Sequence, residues 1–200
     1  MSSFHVAVIP VGRVSAEEVE ASLQRAARAL RQPLELRGSI PVPQGIEESE
    51  RGQFRASLLM QKLRGMVPQL GQGKMIGPEG ATDERPPFKT DGYVFVTDAD
   101  LYTANKDTVY AALKSAAGLS VVSLRRIREA YYRRKADPVK QRNRMVKEII
   151  RMVARLRRAP ACGDPKCVLA ASEMIADLDT KEEKFCRSCS QRLFEGRVSI

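Results

Sequence analysis

Histidine is almost missing from this sequence: His5 is the one imidazole in 200 residues. Chemistry that needs several neutral imidazoles on one ion, or a histidine beside a nucleophile, has a single group to draw on. A serine or cysteine hydrolase finds no support. His5 falls on an apolar first strand, where a hydrogen-bonded core histidine is the ordinary reading. Long apolar runs are missing too, and nothing approaches the about 20 residues of a membrane span. The chain is therefore expected to be soluble and cytoplasmic, with no membrane partner. Met1 to Pro10 has no basic segment before its short apolar stretch, so a first strand is expected there and not a secretory signal. Cysteine is absent from the first 161 residues, and all four cysteines stand in the last 39. With no sign of secretion, a disulfide framework is not expected. Two closely spaced pairs point to a metal instead.

What is present suits one domain, or one domain with a small appendage. Hydrophobic residues make up 43% and charged residues 29%, enough to bury a core. The net charge of +10 is unevenly placed. Between Arg125 and Arg158 fourteen Lys and Arg face three acids (Glu129, Asp137 and Glu148), which gives +11 there and −1 for the rest. The basicity belongs to one segment.

Patterning predicts the elements. Phe4 to Val11 reads as a β-branched strand. Ser15 followed by Glu18 is a capping box for a helix with Val19, Leu23, Ala27 and Leu30 on one face, stopped by Pro33. Leu34 to Leu36 is a candidate short strand. Arg55 to Met66 is an amphipathic helix with Leu58, Leu59, Leu63 and Met66. Val67 to Thr90, rich in Gly and Pro, reads as a mobile surface loop. Tyr93 to Val96 lie in a buried strand, and Gly118 to Leu124 form another. A long helix follows Pro138, with Met145, Val146, Ile149, Ile150, Val153 and Leu156 as its buried stripe and Pro160 ending it. Strands alternating with helices imply an α/β or α+β sheet domain.

Cys162-x4-Cys167 and Cys186-x2-Cys189 are two metal knuckles. Four thiolates close a zinc tetrahedron and leave no open position, so such a site is structural. The tail from Ala159 to Ile200 has few large apolar residues of its own, which gives a metal staple a physical purpose.

Further residues carry a resemblance. Lys147-Glu148-Ile149-Ile150 leads into the helix. Asp164-Pro165-Lys166-Cys167-Val168-Leu169, Ala176-Asp177 and Phe185-Cys186-Arg187-Ser188-Cys189 follow. Upstream stand Arg51-Gly52-Gln53-Phe54, Val96-Thr97-Asp98-Ala99-Asp100-Leu101-Tyr102 and Val121-Val122-Ser123-Leu124-Arg125-Arg126. In this order the segments resemble the archaemetzincins, whose pattern is H-E-x-x-H-x-x-G-x-x-H-C, then x4-C-x-M, then a C-x-x-C pair. The resemblance covers nearly the whole chain except Gly71 to Thr90.

It implies a metzincin-like fold: a twisted, mixed, mostly parallel sheet with flanking helices. Residues 1–158, including the former active-site helix at about 139–158, make one subdomain, and 159–200 a small zinc-stapled one. Anchored on Cys162, the family's motif puts Arg151, Arg155 and Ala161 at the three histidine positions. Met152 stands at the catalytic glutamate position, Arg158 at the glycine and Leu169 at the methionine. A guanidinium does not ligate zinc, so the expectation is a pseudoenzyme: no catalytic residue, one structural Zn2+ on Cys162, Cys167, Cys186 and Cys189, and no catalytic zinc. Lys147, Arg151, Arg155 and Arg158 share one helix stripe. Either the old cleft binds an anion there, such as an acidic peptide, or the stripe is a solvated basic face. Glu148 is expected to pair with a neighbouring arginine. Tyr131 and Tyr132 are expected to pack in a turn, and Asp98 and Asp100 to lie at a strand end near the cleft. Two alternatives stay open: a basic nucleic-acid-binding protein with a four-cysteine finger, less favoured, and a zinc metalloprotease whose site the register misassigns.

Overall fold

The structure is a computed structural model and describes residues 4–86 and 89–195. Val6–Val11 (β1) is buried along its whole length. Ala16–Leu30 (α1) begins where the Ser15 hydroxyl accepts from the Glu18 amide, and closes on Arg31 in the left-handed region (φ 53°). Leu34–Leu36 (β2) follows. Glu47–Glu48 (β3) and Gln53–Arg55 (β4) lead into Ala56–Met66 (α2). Lys74–Gly77 (β5) and Gly80–Ala81 (β6) make a hairpin. Next come Gly92–Thr97 (β7), Leu101–Tyr102 (β8), Ala111–Lys114 (β9) and Leu119–Ser123 (β10). Pro138–Leu156 (α3) is capped by Asp137, whose carboxylate accepts from the Lys140 amide at 2.9 Å. The tail holds Ile175–Thr180 (α4) and Arg187–Ser190 (α5).

The main sheet runs β6-β5-β2-β1-β7-β10-β9, and a smaller one runs β3-β4-β8. β2, β1, β7 and β10 are parallel, and antiparallel strands flank them on both sides. The expected mixed, mostly parallel sheet is the fold observed. Side chains alternate across β1: Val6 and Val8 pack toward α1 and α3, Ala7 and Ile9 toward α2. Helices on both faces explain why β1 and β7 read as continuous apolar runs and not as alternating ones. Each large aliphatic side chain buried this way contributes about 1.5–3 kcal/mol. The predicted stripe of α3 is buried in full.

Two readings need correction. Val67 to Thr90 is not one loop: β5 pairs antiparallel with β2, and Met75 and Ile76 are buried. Pro87 and Phe88 of that segment lie outside the described residues, as do 196–200 of the tail. Gly73 permits the docking, since a Cβ there would stand 2.2 Å from the Leu36 carbonyl oxygen. The second correction is at the end of α3, which stops at Leu156; Arg158 already sits at φ 66°.

Candidate metal centre and the cleft beside it

The four cysteines converge. Their Sγ atoms all lie within 4.8 Å of one another, and Cys162 Sγ is 3.7 Å from Cys186 Sγ. A zinc ion with Zn–S bonds of about 2.3 Å needs sulfurs about 3.8 Å apart, the spacing of the Cys162–Cys186 pair, so the cluster could hold such an ion. Among the described residues this is the one group of His, Cys, Asp or Glu side chains arranged to hold a metal. Local turns set it up. Cys167 N–H donates to the Asp164 carbonyl at 3.0 Å, and the Asp164 side chain accepts from Lys166 N–H at 3.0 Å. Cys162 N–H donates to the Leu169 carbonyl, closing the first knuckle. In the second, Cys186 N–H points at Cys167 Sγ at 3.4 Å. The Ser188 hydroxyl, with the Cys189 backbone, draws the Cys186 thiol down to about 6, whereas burial pushes Cys167 and Cys189 up.

The polar side of α3 faces the tail. Arg144, wholly buried, donates to Asp179 through Nε at 2.6 Å and Nη2 at 2.7 Å and to the Ile127 carbonyl at 2.6 Å, and forms an ion pair with Glu129 at 2.6 Å. Lys147, 8% exposed, donates to the carbonyls of Leu178 and Asp179 at 3.0 and 3.3 Å, which end α4. Glu148 is wholly buried; it accepts from Arg151 Nε at 3.0 and 3.1 Å, from Arg151 Nη2, and from Lys181 at 3.2 Å. Burial opposes its charge, but Arg151 and Lys181 outweigh that and hold its pKa below the usual range. Glu148 thus pairs with an arginine as expected. Lys181, Arg144 and Asp179 were missed in the sequence. The signal available was scarcity: of three acids in the +11 segment, two neutralise buried cations and the third caps α3.

The four stripe residues have separate surroundings. Lys147 is tied to α4, Arg151 rests on Glu148, and Arg155 donates to the Ala159 carbonyl at 2.8 Å; Arg158 is exposed. Met152 is buried in the core, and Ala161 is exposed. Of the stripe, Arg151 lines a cleft of about 640 Å³ that runs along Thr108 to Leu113 and is bordered by Ser172 and Glu173 of the tail. A Lys106–Glu173 ion pair at 2.8 Å spans it. β9, the edge of the sheet, forms one wall. His5 is a core residue 2.7 Å from Glu35. Asp100 is held by Arg126 at 2.7 Å through two nitrogens, and Tyr131 and Tyr132 meet edge to face in their turn.

The sequence model of peptidase family M54 matches residues 37–195. The chain belongs to that family, the archaemetzincins. It is 29% identical to the archaemetzincin of Saccharolobus solfataricus over 106 residues, 53% of this chain and 57% of that protein. The chain thus spans a little over half the length of that relative. Against the archaemetzincin of Methanocaldococcus jannaschii it is 23% identical over 98% of this chain and 96% of that one. The fold is also that of a zinc-dependent peptidase from Methanocorpusculum labreanum (TM-score 0.79, 22% identity, 94% and 99% of the two chains). The archaemetzincin of Methanopyrus kandleri shares it too (TM-score 0.73, 22% identity, 98% and 97%).

Membership corrects one expectation. The reading that this chain is no enzyme is overturned: it stands in a peptidase family and shares its fold with a zinc-dependent peptidase. That reading leaned on a few side chains in a register anchored on Cys162. Identity at a few positions is a narrower observation than similarity across the chain.

Proposed function

We propose that this archaemetzincin-family chain receives an extended, acidic peptide segment in the cleft beside β9, on a scaffold held together by one zinc ion. The carrying observation is that Arg151 lines a cleft walled by the sheet's free edge. An edge strand offers unpaired N–H and C=O groups to a peptide. The Ser123 amide donates to the Tyr110 carbonyl. By antiparallel alternation, the amides of Ala111 and Leu113 then fall on the outer side. Arg151 and Lys181 share one carboxylate, Glu148, which leaves a positive charge over at the cleft wall. Cys162, Cys167, Cys186 and Cys189 hold the one Zn2+, and residues 159–200 act as a zinc-held subdomain docked on residues 1–158.

A short acidic peptide labelled with a fluorophore is expected to bind more tightly than a basic one of equal length. Leu113→Pro, which removes an outward N–H and leaves the β10 ladder intact, is expected to weaken it about tenfold. Equal binding of the two peptides, or an unchanged affinity in Leu113→Pro, sinks the reading. Freshly purified protein should carry one zinc per chain, and a content well below one removes the staple. Family membership favours a second reading, peptide hydrolysis. Mass spectrometry of the same peptides after incubation with zinc-loaded protein would reveal cleavage products.

A further inference from the structure

Part of the basic segment from Arg125 to Arg158 is tied up inside the fold. Arg126, Lys140, Arg144 and Arg151 face acids, and Lys147 and Arg155 face backbone carbonyls. Arg125, Arg128 and Arg133, like Lys135, Arg142, Arg157 and Arg158, have no acid partner within salt-bridge distance among the described residues. The first three line one concavity of about 440 Å³, together with Ala130 and Tyr131 and with no acid in its wall.

The arrangement is held from beneath. Arg125 follows the carboxyl end of β10, and Arg128 precedes the 3-10 turn Glu129–Tyr132. Glu129 anchors that turn to buried Arg144 at 2.6 Å, and Tyr132 hydroxyl donates to the Arg126 carbonyl at 3.0 Å. Arg133 ends the turn at φ 58°, a conformation unfavourable for a residue with a Cβ, so the turn presents its side chain at a local cost. Tyr131 is 40% exposed beside them, steadied by Arg126 over its ring at 4.8 Å. Three guanidinium groups sharing one hollow repel each other until an anion enters. The hollow lies beyond the carboxyl ends of the parallel strands, where open α/β sheets bind their ligands.

We infer that Arg125, Arg128, Arg133 and Tyr131 form a site for a nucleotide unit, with its phosphate on the three arginines and its base against the tyrosine. Planar guanidinium forks match phosphate oxygens in geometry and charge. An exposed aromatic ring beside them adds a stacking surface, and the volume lies within the range of small-ligand sites. The unit could be a free nucleotide or part of a single strand of nucleic acid; both present the same chemistry.

The test uses the full zinc-loaded chain with two probes, a labelled mixed-sequence single-stranded DNA oligonucleotide followed by anisotropy and ADP followed by calorimetry. The variants are Arg125→Gln/Arg133→Gln, at two exposed side chains that leave the core untouched, and Arg142→Gln, an exposed cation of the same segment outside the hollow. Wild type is expected to bind at least one probe at low salt. Arg142→Gln should stay within about twofold. The double variant should lose about tenfold or more and shed about two from the salt slope, one per phosphate contact. Binding of ADP identifies a free nucleotide as sufficient; binding of the oligonucleotide alone identifies the strand. Tyr131→Ala should weaken ADP and leave pyrophosphate unchanged, and an equal loss for both overturns the base contact. No binding of either probe at low salt, or an equal loss in Arg142→Gln, overturns the site.

Discussion

Glu35 shows how a single residue carries a stability term in this fold. It is wholly buried, yet it accepts from His5 and Arg37 side chains and, at 2.8 Å, from the Gly73 amide. Burial alone would raise its pKa; these partners bring it from 4.5 down to about 2. A depressed folded-state value stabilises the protein above pH 4.5, and the contribution fades as pH falls toward 2. It amounts to an order of about 3 kcal/mol. Denaturant midpoints from pH 7 to 2 should therefore fall more steeply for wild type than for Glu35→Gln, and parallel slopes would refute it. At the zinc cage the expectation is sharper. Cys189→Ser removes one of the four thiolates of the proposed zinc site, where a bound ion would add folding free energy. Zinc per chain should drop well below one with a lower melting temperature; retention of a full equivalent would show the cage to be something else.

The helix α3 has two working sides. Its apolar stripe packs on the sheet, and its polar side grips α4 through Arg144 and Lys147. Arg144→Met leaves Glu129 and Asp179 without their guanidinium, and breaking a buried pair by removing one partner costs about 3–5 kcal/mol. Equilibrium denaturation measures this directly; a loss below about 1 kcal/mol would mean that solvent or another cation compensates. Helices and central strands were legible because their periods are long and their signals local: the Ser15 cap and the α3 stripe fall where the pattern puts them, whereas the Asp137 cap went unread. β9 and the β5–β6 hairpin were not. Strands this short carry no resolvable alternation, and their existence depends on β10 and β2 offering a partner edge.

For the molecule as a whole, the tail shares its core with the scaffold. Cys167, Val168, Leu169, Leu178 and Cys189 pack in the same cluster as Met145, Ile149 and Val153. Chelation should therefore lower one cooperative thermal transition of the entire chain, with protease cutting first between residues 159 and 195. Two separate melting steps would show the tail to be energetically independent. The four cysteines were decided by sequence alone, because ligand spacing within each knuckle is a local property and two knuckles suffice for a tetrahedron. The fate of the basic segment was decided only by tertiary structure. Lys147 and Arg144 look like surface charge in sequence, and become internal ties because Glu129, Leu178 and Asp179, all distant in the chain, supply acceptors. Which cations are spent and which stay free depends on partners that no local pattern can name.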